Sequence, residues 1–304
     1  MTAARRRTRS ANEGSCRRAW AALPLVLSLL GCAHGAHVAA ASRSARSVPD
    51  ADSVTIALWH MDETGGTRVA DAGPFRLEGI AGLESSTSFG RYGRARVFTH
   101  SLDSFVEVPY NPTLEARDGF TIEAWVWLSS FGTWEDTPIA ARWVPSTGDR
   151  SWLFSVVGRR LTPPAAPAVS PGDHADLIGL AGTGMLMFAF LSEDAGSPRA
   201  YVSTRPLTLG RWTHVAATFD GAVVRLWIDG VLDAQYASVG HLRASQAPLQ
   251  IGNAVDPRWL STFGGDLRAD QARDPIPYYA FDGMIDEVRL SSAARVDFES
   301  VRGR

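Results

Sequence analysis

The chain has 304 residues, 45% hydrophobic and 20% charged, with a formal net charge of −2. Every one of its 30 Lys+Arg residues is arginine, which excludes the lysine of a phosphate-binding loop and Schiff-base chemistry together. Near-neutral charge, with no basic block beyond the N-terminal region, argues against nucleic acid as a partner.

The N-terminal region reads as a targeting segment. Arg5, Arg6, Arg7, Arg9, Arg17 and Arg18 precede an apolar run from Trp20 to Leu30. That run is about half of the ~20 residues a helix needs to cross a bilayer, so it fits a signal sequence rather than a membrane span. It ends in Leu29-Leu30-Gly31-Cys32, which resembles a bacterial lipobox, where cleavage precedes a lipid-bearing cysteine. Residues 1–32 are therefore expected to be a signal peptide, with Cys32 as the lipidation site. Ordinary cleavage around Ala36 or Ala41 is the alternative, and Arg17-Arg18 hints at a twin-arginine signal. Ala33 is compatible with outer-membrane sorting by resemblance to other lipoproteins. Residues 33–53, rich in Ala, Ser, His and Arg, read as a flexible tether.

The two cysteines, Cys16 and Cys32, both lie in this region. The remainder has no disulfide, no cysteine metal site and no thiol nucleophile. Roughly 240 residues are left for the fold, enough for a core without cross-links.

From Val54 onward, short β-rich runs alternate with Gly, Pro, Asn and Asp, the pattern of an all-β sandwich or barrel. Phe120–Leu128 is one such run. Ile122, Ala124, Val126 and Leu128 fall on one face and Thr121, Glu123, Trp125 and Trp127 on the other, so this strand is expected to be central and covered on both sides. Trp212–Tyr236 carries Asp220-Gly221 and Asp229-Gly230 between β-rich runs, which predicts two tight hairpins and a three-stranded meander. Val224, Leu226 and Ile228 are its expected core residues. Phe281–Leu290 is a further strand. Residues 158–184 and 255–280 break the strand rhythm, and loops of that length are commonly functional or disordered.

These blocks, in order, resemble a known family. Leu58-Trp-His-Met-Asp-Glu-Thr-Gly-Gly66 with Asp71, then Phe89–Ala95, Phe105–Val108 and Phe120–Trp125, are similar to the opening blocks of laminin-G-like modules. Trp212–Ala216, Trp227–Gly230, Leu249–Gly252 and Phe281–Arg289 complete the series across residues 54–297, leaving 298–304 as a tail. The resemblance implies a two-sheet antiparallel jelly-roll sandwich of the concanavalin A-like kind. It also implies a binding role, often toward glycans or extracellular proteins, and in many members a structural calcium.

Alternation places Asp286 on one face with Met284, Val288 and Leu290. A carboxylate on an apolar face is costly unless paired, hydrogen-bonded or metal-bound. The resemblance makes Asp62 and Asp71 its partners in a calcium site; capping of backbone N–H groups or pairing with an arginine is the alternative. The family's usual Asn after the second Asp is absent from Asp71-Ala-Gly-Pro-Phe75. Asp286 and Glu287, being adjacent, are expected on opposite faces and so unable to flank one glycosidic bond. The Gly-x-Ser-x-Gly and His-Glu-x-x-His motifs are absent. For ligand contact, Trp259, Phe263, Tyr278 and Tyr279 supply aromatic faces, unless they serve to pack their long loop; Trp134 and Trp143 stand in the same position. His214 reads as a hydrogen-bonded strand residue without a role.

The sequence thus predicts a non-catalytic, exported module of the cell envelope that recognises carbohydrate or glycan. An outer-membrane lipoprotein is the expected form, a secreted or periplasmic protein the alternative. A structural or adhesive lipoprotein binding a protein partner is the second reading, and a glycoside hydrolase or lyase the third.

Overall fold

Alternating apolar positions in β-rich runs dictate how the chain layers. In the computed structural model, which describes residues 49–132, 136–144, 147–158, 183–193, 198–238, 240–254, 260–263, 266–269 and 280–298, those runs become strands. Of residues 136, 260–263 and 266–269 only the backbone is described. In chain order the strands are β1 (Thr55–Trp59), β2 (Arg68–Val69), β3 (Gly79–Ala81), β4 (Ser86–Phe89), β5 (Arg94–Thr99), β6 (Val106–Val108), β7 (Phe120–Leu128), β8 (Asp136–Val144) and β9 (Asp149–Val157). There follow β10 (Met185–Phe190), β11 (Arg199–Pro206), β12 (Trp212–Phe219), β13 (Val223–Ile228), β14 (Val231–Ala237), β15 (Leu249–Ile251), β16 (Leu260–Phe263), β17 (Asp266–Ala269) and β18 (Asp282–Ser291).

Among the described residues these strands form two 8-stranded antiparallel sheets and a separate β16–β17 hairpin. The first sheet runs β14-β13-β12-β7-β18-β5-β4, with β1 also paired to β18; the second runs β11-β10-β9-β8-β15-β6-β3-β2. The architecture is the expected jelly-roll sandwich. Its core is a layer of aromatic rings from both sheets. Phe120 stacks on Phe188 at 5.4 Å and leans on Trp152 at 5.0 Å, while Phe219 meets Phe190 at 5.0 Å. Each such ring stabilises the sandwich by ~1.5–3 kcal/mol through burial alone.

The meander forms as β12-β13-β14, with Val224, Leu226 and Ile228 in the core. Asp229 (φ 52°) and Gly230 (φ 72°) make a two-residue turn joining Ile228 to Val231. The first turn is looser than expected. Asp220-Gly221-Ala222 separate β12 from β13, and the Asp220 carboxylate accepts the N–H groups of Ala222 and Val223 (3.0 and 2.7 Å), so a side chain closes a longer loop. β7 is buried along nearly all its length on both faces, as its sequence predicts.

Both ends of the described fold meet beside β18. Ser292 N–H donates to the Val54 carbonyl (2.8 Å), and the Arg295 guanidinium spans both Asp52 oxygens at 2.8 and 2.7 Å. Among the described residues no helix is long and apolar enough to cross a membrane.

Candidate ligand-binding site

A β-bulge in β18 sets the geometry of the site. Asp286 pairs with Trp125 of β7 and Arg289 with Glu123, so Glu287 and Val288 together face one residue. Glu287 takes φ 52°, the left-handed conformation that glycine usually supplies. The bulge switches the faces of the strand. Ile285 points to the core before it, and Val288 and Leu290 after it. Asp286 therefore does not share a face with Val288 and Leu290 as simple alternation predicts; it lies on the outer face, across from Trp125.

Asp286 is 0% exposed. Its Oδ2 accepts the N–H groups of Arg91 (2.7 Å) and Tyr92 (3.0 Å), while Oδ1 has no hydrogen-bond partner among the described residues. The Gly90-Arg91-Tyr92-Gly93 turn between β4 and β5 aims those two amides. Glycine is required at both ends of that turn: a Cβ on Gly90 would overlap the Arg94 carbonyl, and one on Gly93 would overlap Asp62 Oδ1. Asp62 is itself exposed, and its Oδ1 accepts the Arg94 N–H at 2.6 Å. Burial pushes the Asp286 carboxyl up to about 8, and the charges of Glu287 and Asp62 add to burial against the two amides. Glu287 is raised too, chiefly by burial, although His60 Nδ1 donates to its Oε2 at 2.8 Å. That hydrogen bond raises His60 in turn.

The expected calcium set is not assembled. Asp71 Oδ1 accepts the N–H groups of Leu58 (2.8 Å) and Gly73 (2.6 Å), and Oδ2 accepts that of Leu77 (2.7 Å). Its carboxylate closes the opening loop instead of facing an ion. Among the described residues no three His, Cys, Asp or Glu side chains are grouped so as to hold a metal. Among the described residues, Asp62, Asp71 and Asp286 are thus not brought together as one carboxylate set.

The bulge also undoes the argument that adjacent carboxylates must diverge, but burial replaces it. Asp286 and Glu287 are 0% and 2% exposed, so neither carboxyl is open to solvent in this structure.

Beside Asp286, the outer face of the first sheet carries rows of rings and charges. Trp212 of β12 pairs with Trp127 of β7, their rings 6.1 Å apart at 66°, and both are half-buried. The next row is His214, Trp125 and Asp286, with the Arg91 guanidinium 4.3 Å over the Trp125 ring. The row after that is Trp227, Ala216, Glu123 and Arg289. Glu123 accepts His214 Nε2–H at 2.9 Å and Arg289 Nε–H at 2.7 Å. Burial opposes its ionisation, but the His214 hydrogen bond and charge, with Arg289, outweigh burial and hold the carboxyl below its usual range. Trp125 and Trp127 share one face of β7, as alternation predicts, but the expectation for that face is cover and not ligand contact. The alternation of Trp125 with Trp127 was the available signal.

Of the predicted contact residues, Trp259, Tyr278 and Tyr279 lie outside the described residues, as do Trp134 and Cys32. Phe263 ends β16, where only the backbone is described. Trp143 is 7% exposed on the outer face of the second sheet, with the Arg150 guanidinium 5.3 Å from its ring.

A two-sheet antiparallel jelly roll is the architecture of concanavalin A-like sandwiches. The family model of the concanavalin A-like lectin/glucanases superfamily matches residues 100–271, more than half of the chain, and the chain belongs to that superfamily. No curated protein matches it in sequence. The fold is shared with the binding domain of Paraclostridial Mosquitocidal Protein 1 (TM-score 0.52, 11% identity, covering 80% of this chain and 49% of that one). It is shared also with the Botulinum Neurotoxin serotype G binding domain (TM-score 0.50, 11% identity, 80% and 48%). Domain 4 of AbnA, an extracellular arabinanase from Geobacillus stearothermophilus, in complex with arabinotriose, aligns at TM-score 0.49 with 17% identity over 80% and 94%. The chain thus spans about half the length of the two toxin domains, and these likenesses establish the fold.

Proposed function

We propose that the chain is a non-catalytic binding module that recognises carbohydrate on the outer face of its first sheet. The observation that supports this is the pair of half-exposed indoles, Trp127 and Trp212, set edge to face on a rigid central pair of strands. Aromatic faces of this kind pack on the apolar face of a sugar ring, and rings on strands bind with little loss of freedom. Two of the structures that share the fold are named as binding domains, which favours binding over catalysis. The burial of Asp286 and Glu287 favours it too. The basic leader, short apolar run and Cys32 support export and a lipid anchor at the cell envelope, with the outer membrane as the proposed site.

A glycan array probed with the full chain tests the reading. Discrete sugar hits are expected, and Trp127→Ala and Trp212→Ala should each weaken them about tenfold, or ~1.4 kcal/mol. A blank array, with an envelope protein retained by the immobilised chain, would move the assignment to a protein-binding lipoprotein.

A further inference from the structure

Beyond β18 the chain runs as an irregular strap over the outer face of the first sheet. Ser292, Val296 and Asp297 are exposed, Ala293 to Arg295 half-buried, and Phe298 is 2% exposed. The Phe298 ring sits 5.1 Å from that of Trp227 and 5.4 Å from that of His214, in one cluster with Trp125 and Ala216. Arg295 N–H, donating to Thr121 Oγ1 at 2.9 Å, fixes the start of this strap, and Phe298 is the side chain that anchors its end.

The floor beneath Phe298 is polar where the plug is not. Trp125 (4% exposed) and His214 (2% exposed) each carry a buried ring nitrogen, Nε1 and Nδ1, without a hydrogen-bond partner among the described residues. His214 gives Nε2–H to Glu123 and leaves Nδ1, and Trp125 leaves Nε1–H, for a group that can hydrogen-bond them. A buried polar atom left unpaired costs ~1–3 kcal/mol, and a phenyl ring can relieve neither. The cover is thus chemically mismatched to its slot.

We propose that the slot walled by Trp125, Trp227 and His214 is a binding subsite for a hydroxylated ring, and that Phe298 is a displaceable cover over it. A hydroxyl both donates and accepts, so a sugar ring can satisfy Nδ1 and Nε1–H while its apolar face takes the place of the phenyl on Trp227. This rests on the carbohydrate reading above and extends it: ligand and strap compete for one slot.

Two measurements on the full chain test it. On the glycan array, Phe298→Ala should raise the affinity for the sugars bound by the wild type at least tenfold, and Trp227→Ala in that background should remove the gain. Far-UV circular dichroism and melting establish that each variant is folded. Equal binding by folded wild type and Phe298→Ala overturns the displaceable cover and leaves the carbohydrate reading intact. Blank arrays for both overturn the carbohydrate reading, and limited trypsin digestion then decides the cover. Release of the peptide beyond Arg295 well before the strands are cut supports a strap that opens locally, over a slot for another hydroxylated ligand. Cleavage there no faster than global unfolding overturns it.

Discussion

Asp286 has one oxygen held by two backbone N–H groups and one buried oxygen with no partner among the described residues. A carboxyl in that position settles its charge by taking a proton, and its raised pKa of about 8 follows from burial. Asp286→Asn, which copies the neutral form, should therefore fall within ~1 kcal/mol of wild type. Asp286→Ala, which strands the Arg91 and Tyr92 amides, should cost ~2–4 kcal/mol in denaturant melts. Excess EDTA should leave the wild-type melting midpoint unmoved, because Asp71 is spent on backbone amides and, among the described residues, no three-carboxylate group is assembled. A fall of several degrees with chelator would restore a tightly bound ion. Glu123 is the opposite case, a buried carboxylate kept charged by His214 and Arg289. Glu123→Gln leaves Arg289 without its anion and should cost ~3–5 kcal/mol; a loss under ~1 kcal/mol would show that the pair is replaceable.

At the scale of elements, the β4–β5 turn and the β18 bulge are fitted to each other through Asp286. Gly90→Ala pushes a methyl into the Arg94 carbonyl and toward Asp286 Oδ2, 2.6 Å from the added atom, so it should displace the two amides as well. The expected loss is ~2 kcal/mol or more, against the ~1 kcal/mol ordinarily seen for a strand or turn substitution. These elements differ in how plainly the sequence announces them. The β12-β13-β14 meander was legible because Asp-Gly pairs stand between alternating runs, and the two faces of β7 because no bulge interrupts its pairing with β12. The bulge was not legible. Glu287 has no intrinsic preference for φ 52°; the conformation is imposed by pairing with β7 on one side and β1 on the other. The outer aromatic face was half legible: alternation places Trp125 and Trp127 together, but only the fold brings Phe298 over Trp227 and His214, since 70 residues of chain lie between Trp227 and Phe298 and leave no local signature.

For the whole molecule, the direction of the shifted groups sets the pH of greatest stability. Asp286 ionises near 3.8 in the unfolded chain and near 8 in the folded one, so between those values the native state holds a proton the unfolded state has released. Stability from this group is complete below about pH 4 and is lost as pH rises toward 8, by up to ~1.4 kcal/mol per pH unit. Glu287, raised above 4.5 by burial, acts in the same direction. So does His60, raised above 6.5 by Glu287: its contribution is present below 6.5 and lost as pH climbs through the folded value. Glu123, lowered from 4.5, and Asp52, lowered from 3.8 by the Arg295 hydrogen bond, act in the opposite sense and lose their contribution as pH falls below those values. Asp52 is half exposed and counts for little, so the acid limb belongs mainly to Glu123. The two limbs meet on the acid side of neutrality. The melting midpoint should peak near pH 4–5 and fall at least ~5 °C by pH 8, at ~2–4 °C per kcal/mol for a fold of this size. Asp286→Asn should flatten the alkaline limb and Glu123→Gln the acid one. A wild-type profile that rises from pH 5 to 8 would mean that Asp286 is ionised and stabilised in the native state, and the proton would have to give way to a cation or a further donor at Oδ1.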